Sequence, residues 1–302
     1  MDRVNLLGVS IDNCNMQEVM DRIGEAVEGR QFLYAVNPNI DHIIKLRSDP
    51  EFLNVYQNAD LVVTDGVPLL WASHVFGAPL QERINGTDLF ELACELAAQR
   101  GYSIYLLGGN PGAAKNACTK LAARFPGLKI AGWEYHPYDF GGDVSENLEA
   151  QARIRKSGAD ILFVGLGAPK QEKWIFDYGR GTGVAFAIGV GGSFSVVAGE
   201  IRRAPLWMQH SGLEWLWRVL QEPRRLWRRY LTEGVAFFCL FLAEFAKTLL
   251  RRLTRARAPR RAANLLRSPH AQLRRHTPSF RSGPLAVADA PTEEDEPISP
   301  AP

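Results

Sequence analysis

An aspartate at the end of a β-branched run is the group in this chain best placed for acid–base chemistry. In Ala59–Leu70, ADLVVTDGVPLL, the residues Ala-Asp-Leu-Val-Val-Thr read as a buried parallel strand. That strand delivers Asp65 and Gly66 to its carboxyl end before Pro68 opens a helix. Open α/β sheets bind ligands at that end. A partly desolvated carboxylate there has a raised pKa and can take a proton from an attacking hydroxyl. The same residue could instead cap the helix or close a turn. Gln31–Val36 is a second strand, ending in Asn37-Pro38-Asn39, whose amides could hydrogen-bond a sugar or phosphate or simply hold the turn. Arg83 lies in a loop before a helix and could meet a phosphate or carboxylate as a planar fork.

Three further strands each run into glycines. Tyr102–Leu107 leads to Gly108-Gly109-Asn110-Pro111-Gly112, Asp160–Val164 to Gly165-Leu166-Gly167-Ala168-Pro169, and Val184–Ile188 to Gly189-Val190-Gly191-Gly192. Glycine lets backbone approach a ligand closely, and a helix amino terminus after such a turn attracts anions. Lys170 and Gln171 add a cation and an amide at the second turn. None of these is a G-x-G-x-x-G or a Walker loop, so nicotinamide and ATP readings lose their main support.

The elements that must carry these groups alternate. A strand or hairpin at Val4–Asp12 precedes a helix over Met16–Val27 capped by Asn15. Further helices are expected at Ile40–Ala59, Pro68–Val75, Leu89–Arg100 (capped by Thr87 or Asp88), Ala113–Phe125 and Asp143–Ser157, with another strand at Leu128–Tyr135. Strand–helix alternation predicts an α/β, Rossmann-like fold: a mostly parallel, doubly wound sheet with helices on both faces. The 302 residues are 46% hydrophobic and 23% charged, enough for one substantial core. The four cysteines are scattered, which argues against a zinc site and for a reducing compartment. The first residues lack the basic-then-apolar layout of a signal peptide, so export is not expected.

From Ala198 the composition changes to a dense mixture of Arg and Trp, read as an amphipathic helical appendage. Its apolar face could dock on the sheet or enter a lipid interface, and its basic face could meet phosphates. Arginine and aromatic mixtures also bind single-stranded nucleic acid, but no such module is visible. Val235–Leu250 is too short and interrupted to span a bilayer, and fits an in-plane helix or one packed on protein. The expected organisation is an α/β core over 1–200, a helical membrane-association appendage over 201–257, and a disordered tail over 258–302.

Read together, ADLVVTDG, RINGTDL, YLLGG, FVGLGAPKQEKW, GVGGSF and the RRAP…LEWLWR…EPRRLWRRY run resemble, in order and spacing, the WecG/TagA/CpsF bacterial glycosyltransferases. The resemblance covers about Met1–Leu231. It implies an inverting, metal-independent transfer of a sugar from a UDP-sugar to a polyprenyl-diphosphate-linked saccharide, at the inner face of the plasma membrane. N-acetylmannosamine, its uronic acid, glucuronic acid and glucose are the donor sugars in view. No cofactor is implied, and a homo-oligomer is open. Asp65 would match the catalytic base, with Arg83 and Asn39 orienting donor or acceptor. Gln171, Lys170 and the turns around Gly108, Gly109, Gly167 and Gly191 would hold the UDP. Arg218, Arg225 and Arg228 would match arginines of a membrane-targeting appendage that closes over the site. Ser195 departs from an acid that several relatives carry. A non-catalytic sugar-nucleotide or phospholipid-binding protein is the alternative reading.

Overall fold

Short runs of Val, Ile, Leu and Phe build a central sheet, and the amphipathic stretches between them return as helices. The computed structural model describes residues 1–137 and 140–265, without the side chains of 210, 225, 226, 228–230, 251, 252 and 255–265. The elements are β1 (Arg3–Leu6), β2 (Val9–Asp12), α1 (Met16–Glu28), β3 (Leu33–Val36), α2 (Ile40–Lys45), α3 (Pro50–Gln57), β4 (Leu61–Val62), α4 (Val67–Phe76), α5 (Gly86–Arg100), β5 (Ser103–Gly108), α6 (Ala113–Arg124), β6 (Lys129–Glu134), α7 (Val144–Ser157), β7 (Ile161–Gly165), α8 (Lys170–Tyr178), β8 (Phe186–Gly189), α9 (Ser193–Val197), α10 (Leu206–His210), α11 (Glu214–Gln221) and α12 (Pro223–Leu265). The chain divides into two units, Met1–Leu250 and Arg251–Pro302. Every contact described below lies in the first. Of the second, the described residues are the end of α12, and the expected tail from 266 onward lies outside the described residues.

Six strands form one parallel sheet in the order β4-β3-β8-β7-β5-β6. Alternating side chains divide between two cores: Ile104, Leu106, Ile161 and Phe163 face one helical layer, while Tyr105, Leu107, Leu162 and Val164 face the other. Both faces are therefore covered, as a parallel sheet requires. From β5 the chain crosses to β6 on one side, and from the adjacent β7 it crosses to β8 on the other. Their carboxyl ends thus flank a topological switch point. The antiparallel hairpin β1–β2 lies beside the edge strand β4. Its Asp12 accepts from the Val62 N–H at 2.8 Å, and its Arg3 donates to the carbonyls of Ala59 and Asp60, so the edge is not left open.

Two expected elements change. The helix over Ile40–Ala59 is two helices, because Asp49 caps a new start at Pro50, where a missing N–H is harmless. The cap of α5 is Asn85 rather than Thr87 or Asp88; its oxygen accepts from the N–H groups of both, and the helix begins at Gly86. The appendage is broken as a proline dictates: α11 ends at Gln221 and Pro223 opens α12. Phe237 on α12 is buried, and Phe241 packs on Phe76 with ring centroids 5.2 Å apart. No helix among the described residues is long and apolar enough to cross a membrane.

Candidate active site

Asp65 does not cap the helix that follows it. α4 begins after Gly66, whose φ of +106° only glycine adopts easily, and it has no side-chain cap. The carboxylate instead turns toward the Arg83–Thr87 loop, which is tied to the strand by the Ile84 N–H donating to the Thr64 carbonyl at 2.7 Å. Asn85 Nδ2 donates to Asp65 Oδ1 at 3.3 Å, and Arg83 Nε stands 3.8 Å from the same oxygen. The Asp65 side chain is 21% exposed. Burial pushes its pKa up to about 6; Arg83 pulls it back, Glu214 raises it again, and Arg218 and the Gly86 N–H lower it. This carboxylate is ionised at neutral pH yet basic enough to accept a proton.

Around it stand the other predicted polar groups. Asn39 caps α2, accepting from the His42 N–H at 3.1 Å, so its amide nitrogen is the end left for a ligand. Asn37 is buried against Gly86, where an added Cβ would come within 2.6 Å of Nδ2. The Thr87 and Ser193 hydroxyls are 2.9 Å apart, which ties this loop to the turn after β8. Arg218 reaches over that turn, with Nη2 4.0 Å from where a Cβ on Gly192 would lie. Arg83 meets a carboxylate, as its fork geometry allows, but that of Glu214 at 2.7 Å, while it also donates to the Gln209 carbonyl at 3.0 Å. The side chains of Arg225 and Arg228 lie outside the described residues.

The glycine turns prove to be packed on one another. An added Cβ at Gly108 would meet Leu166 at 2.8 Å, and one at Gly109 would meet Phe194 at 2.9 Å. The Gly109 N–H donates to the Gly165 carbonyl. Gly167, at φ +77°, has open space where its Cβ would be. Gln171 is not the open ligand amide its sequence position implied. It is 4% exposed, its oxygen accepts from the Gly167 and Gly191 N–H groups at 3.1 and 3.0 Å, and its nitrogen donates to Glu172 at 2.7 Å. It stitches the Gly167 and Gly191 turns together. Lys170 opens α8, half-buried at the same edge. Ser195 is buried and accepts from Asn110.

Further polar groups lie beneath this edge. Lys45 donates to Asp41 and to the Ala168 carbonyl, and His42 shares a hydrogen bond with the Tyr56 hydroxyl. Glu172 is 1% exposed, and its Oε2 has no partner. Burial pushes its pKa up to about 7 from the ordinary 4.5. The folded protein therefore holds a proton that the unfolded chain has released once pH exceeds 4.5. The resulting stability is fully present below pH 4.5 and lost as pH rises through 7. Glu172→Gln is expected to stabilise the fold at pH 8 by on the order of 3 kcal/mol, seen as a higher melting temperature, with the gain vanishing by pH 4. Thermal melts across pH check this; a gain independent of pH would contradict it.

A half-buried, ionisable acid at the sheet's carboxyl edge, with an arginine over a glycine turn, suits group transfer to a hydroxyl. Comparison with known proteins agrees. A protein of Bacillus spizizenii (strain ATCC 23059 / NRRL B-14472 / W23) is 34% identical over 201 residues, covering 67% of this chain and 75% of that protein. One of Bacillus subtilis (strain 168) is 31% identical over 222 residues, covering 74% and 81%. One of Staphylococcus aureus (strain MW2) is 30% identical over 228 residues, covering 75% and 87%. All three are named N-acetylglucosaminyldiphosphoundecaprenol N-acetyl-beta-D-mannosaminyltransferase. Residues 4–251 match the family model for glycosyl transferases of the WecG/TagA/CpsF type, so nearly the whole described chain, site and helices α10 and α11 included, is that of a member of this glycosyl transferase family.

Proposed function

We propose that this glycosyl transferase moves an N-acetylmannosamine-type sugar from a UDP-sugar to a saccharide carried on a polyprenyl diphosphate, with inversion and without a metal. The observation that carries the reading is Asp65: a carboxylate with a pKa of about 6, held beside Arg83 and Asn85 at the carboxyl edge of the sheet. In a single displacement the acceptor O–H gives its proton to Asp65, and its oxygen bonds to the anomeric carbon. The bond from that carbon to the diphosphate oxygen breaks, and its electron pair leaves with UDP. Charge on the leaving group falls to Arg218, Lys170 and the uncapped first turns of α6 and α8. The acceptor follows the names of the relatives; an N-acetylmannosaminuronic or glucuronic acid donor would use the same chemistry.

The exposed apolar side of α12, with the arginines at 218, 225 and 228, supports peripheral attachment to an anionic membrane at its cytoplasmic face, where a lipid-borne acceptor presents its sugar. The test is a panel of UDP-sugars with a short-chain lipid diphosphate bearing N-acetylglucosamine, run with and without a chelator. Transfer from UDP-N-acetylmannosamine that survives chelation is expected. Transfer only from another donor would overturn the sugar assignment, loss on chelation the metal-independence, and no transfer from any donor the reaction itself.

A further inference from the structure

Arg83 is divided between two carboxylates. Its Nη2 donates to Glu214 Oε2 at 2.7 Å and its Nη1 to the Gln209 carbonyl at 3.0 Å, so α10 and α11 hold the outer edge of the guanidinium. Its Nε is buried, has no hydrogen-bond partner, and stands 3.8 Å from Asp65 Oδ1, about an ångström beyond a charge-assisted hydrogen bond. All three side chains are about one-fifth exposed, so the charges interact strongly. The groups that bear on Asp65 are Arg83, Asn85 and the Gly86 N–H from the loop before α5, and Glu214 and Arg218 from α11. Tyr56 on α3 is a further titratable neighbour.

We propose that Glu214 is a positioning residue: by holding Arg83 at its far edge it keeps the guanidinium from closing on Asp65, and so leaves Asp65 open to accept the acceptor's proton. Without Glu214, Arg83 has one carboxylate left to pair with and moves onto Asp65. A paired Asp65 is both occupied and a weaker base. The proposal gives α11, through Glu214, a part in setting the base. It rests on the reading of Asp65 as the base.

The test compares Glu214→Ala and Glu214→Gln with the parent, all as the full chain, by the pH dependence of kcat/KM and by thermal melting. The acid limb is expected to fall by about one pH unit in both variants, with kcat at pH 8 lower by about ten-fold. The direction follows from the charges: Glu214 raises the Asp65 pKa, and a closer Arg83 depresses it. Glu214→Asp, which keeps the charge, should recover part of both effects. A purely structural role would lower kcat with the folded fraction and leave the limb where it was. If Glu214→Ala fails to fold, the isosteric Gln variant decides. An unmoved limb in a folded variant overturns the proposal, provided Asp65→Asn is inactive. An Asp65→Asn protein that still transfers sugar overturns the base and the role of Glu214 together.

Discussion

Replacing Asp65 by asparagine is expected to lower kcat by about 100- to 10,000-fold, the range a general base contributes, while UDP affinity stays within about three-fold of the parent. Asparagine keeps the shape and can still accept the hydrogen bond from Asn85 Nδ2 at its oxygen. It cannot take a proton. The acceptor hydroxyl would then attack without a partner, and the rate would lose the acid limb near pH 6 that the parent's Asp65 provides. Stability should move the other way. A carboxylate whose folded pKa is raised from 3.8 to about 6 favours folding less as pH rises through that interval, so Asp65→Asn should melt higher than the parent at pH 8 and lose that advantage by about pH 4. Lost transfer with gained stability is a pattern that general damage does not produce. Isothermal titration with UDP, steady-state transfer rates and melting curves measure the three effects. A folded Asp65→Asn protein with kcat within ten-fold of the parent would end the assignment.

How far the chain revealed this in advance depends on whether the deciding contact was local. Leu61–Thr64 is apolar and β-branched, and Gly66 follows Asp65. Those neighbours alone put the acid at a strand's carboxyl end. The same holds for the glycine turns, whose order after alternating strands predicted the parallel sheet and its ligand edge. Pro50 after Asp49 was a readable helix start inside Ile40–Ala59, and Asn85 before Gly86 a readable cap. Apolar periodicity that runs across Ile40–Ala59 hides the first, and Thr87 and Asp88, both good caps, compete with the second.

The inward turn of Gln171 was harder. A run such as Pro-Lys-Gln-Glu-Lys looks solvent-facing, yet Gln171, Glu172, Trp174 and Ile175 fall on one helical face and are all buried. The two Trp and Ile positions were the signal that the polar pair precedes a buried stripe. Glu214 left no local trace. Its partner Arg83 is 131 residues away, and only the docking of α11 beside the Asp65 loop brings them together. What such a site owes to long-range closure is what sequence patterns of period 2 or 3.6 do not encode.

The proposed membrane attachment carries the second large effect expected, its loss on changes that leave the Asp65 surroundings intact. On α12 the residues Val235, Phe238, Leu242, Phe245 and Leu249 recur at spacings of three and four, and all are exposed, Phe238 at 60%. The other side of the same helix is used by the protein itself, through Phe237, Leu240 and Phe241. A helix with one apolar face satisfied and another in solvent has a second apolar partner to find. Changing Phe238, Leu242, Phe245 and Leu249 together to Gln removes four side chains, each worth about 1.5–3 kcal/mol when fully buried. Even with half of that realised in an interface, partition onto anionic vesicles should fall by at least about 100-fold. The remaining attraction should come from arginines and weaken with salt, since each contributes about 1 kcal/mol near an anionic surface. Transfer to a long-chain polyprenyl acceptor in vesicles should drop with it. Transfer to a short, water-soluble acceptor should not, because the base and its partners are untouched. Flotation assays in vesicles with and without anionic lipid, paired with the two acceptor assays, separate these effects. A quadruple variant that floats as the parent does would assign the outward face of α12 to something other than lipid.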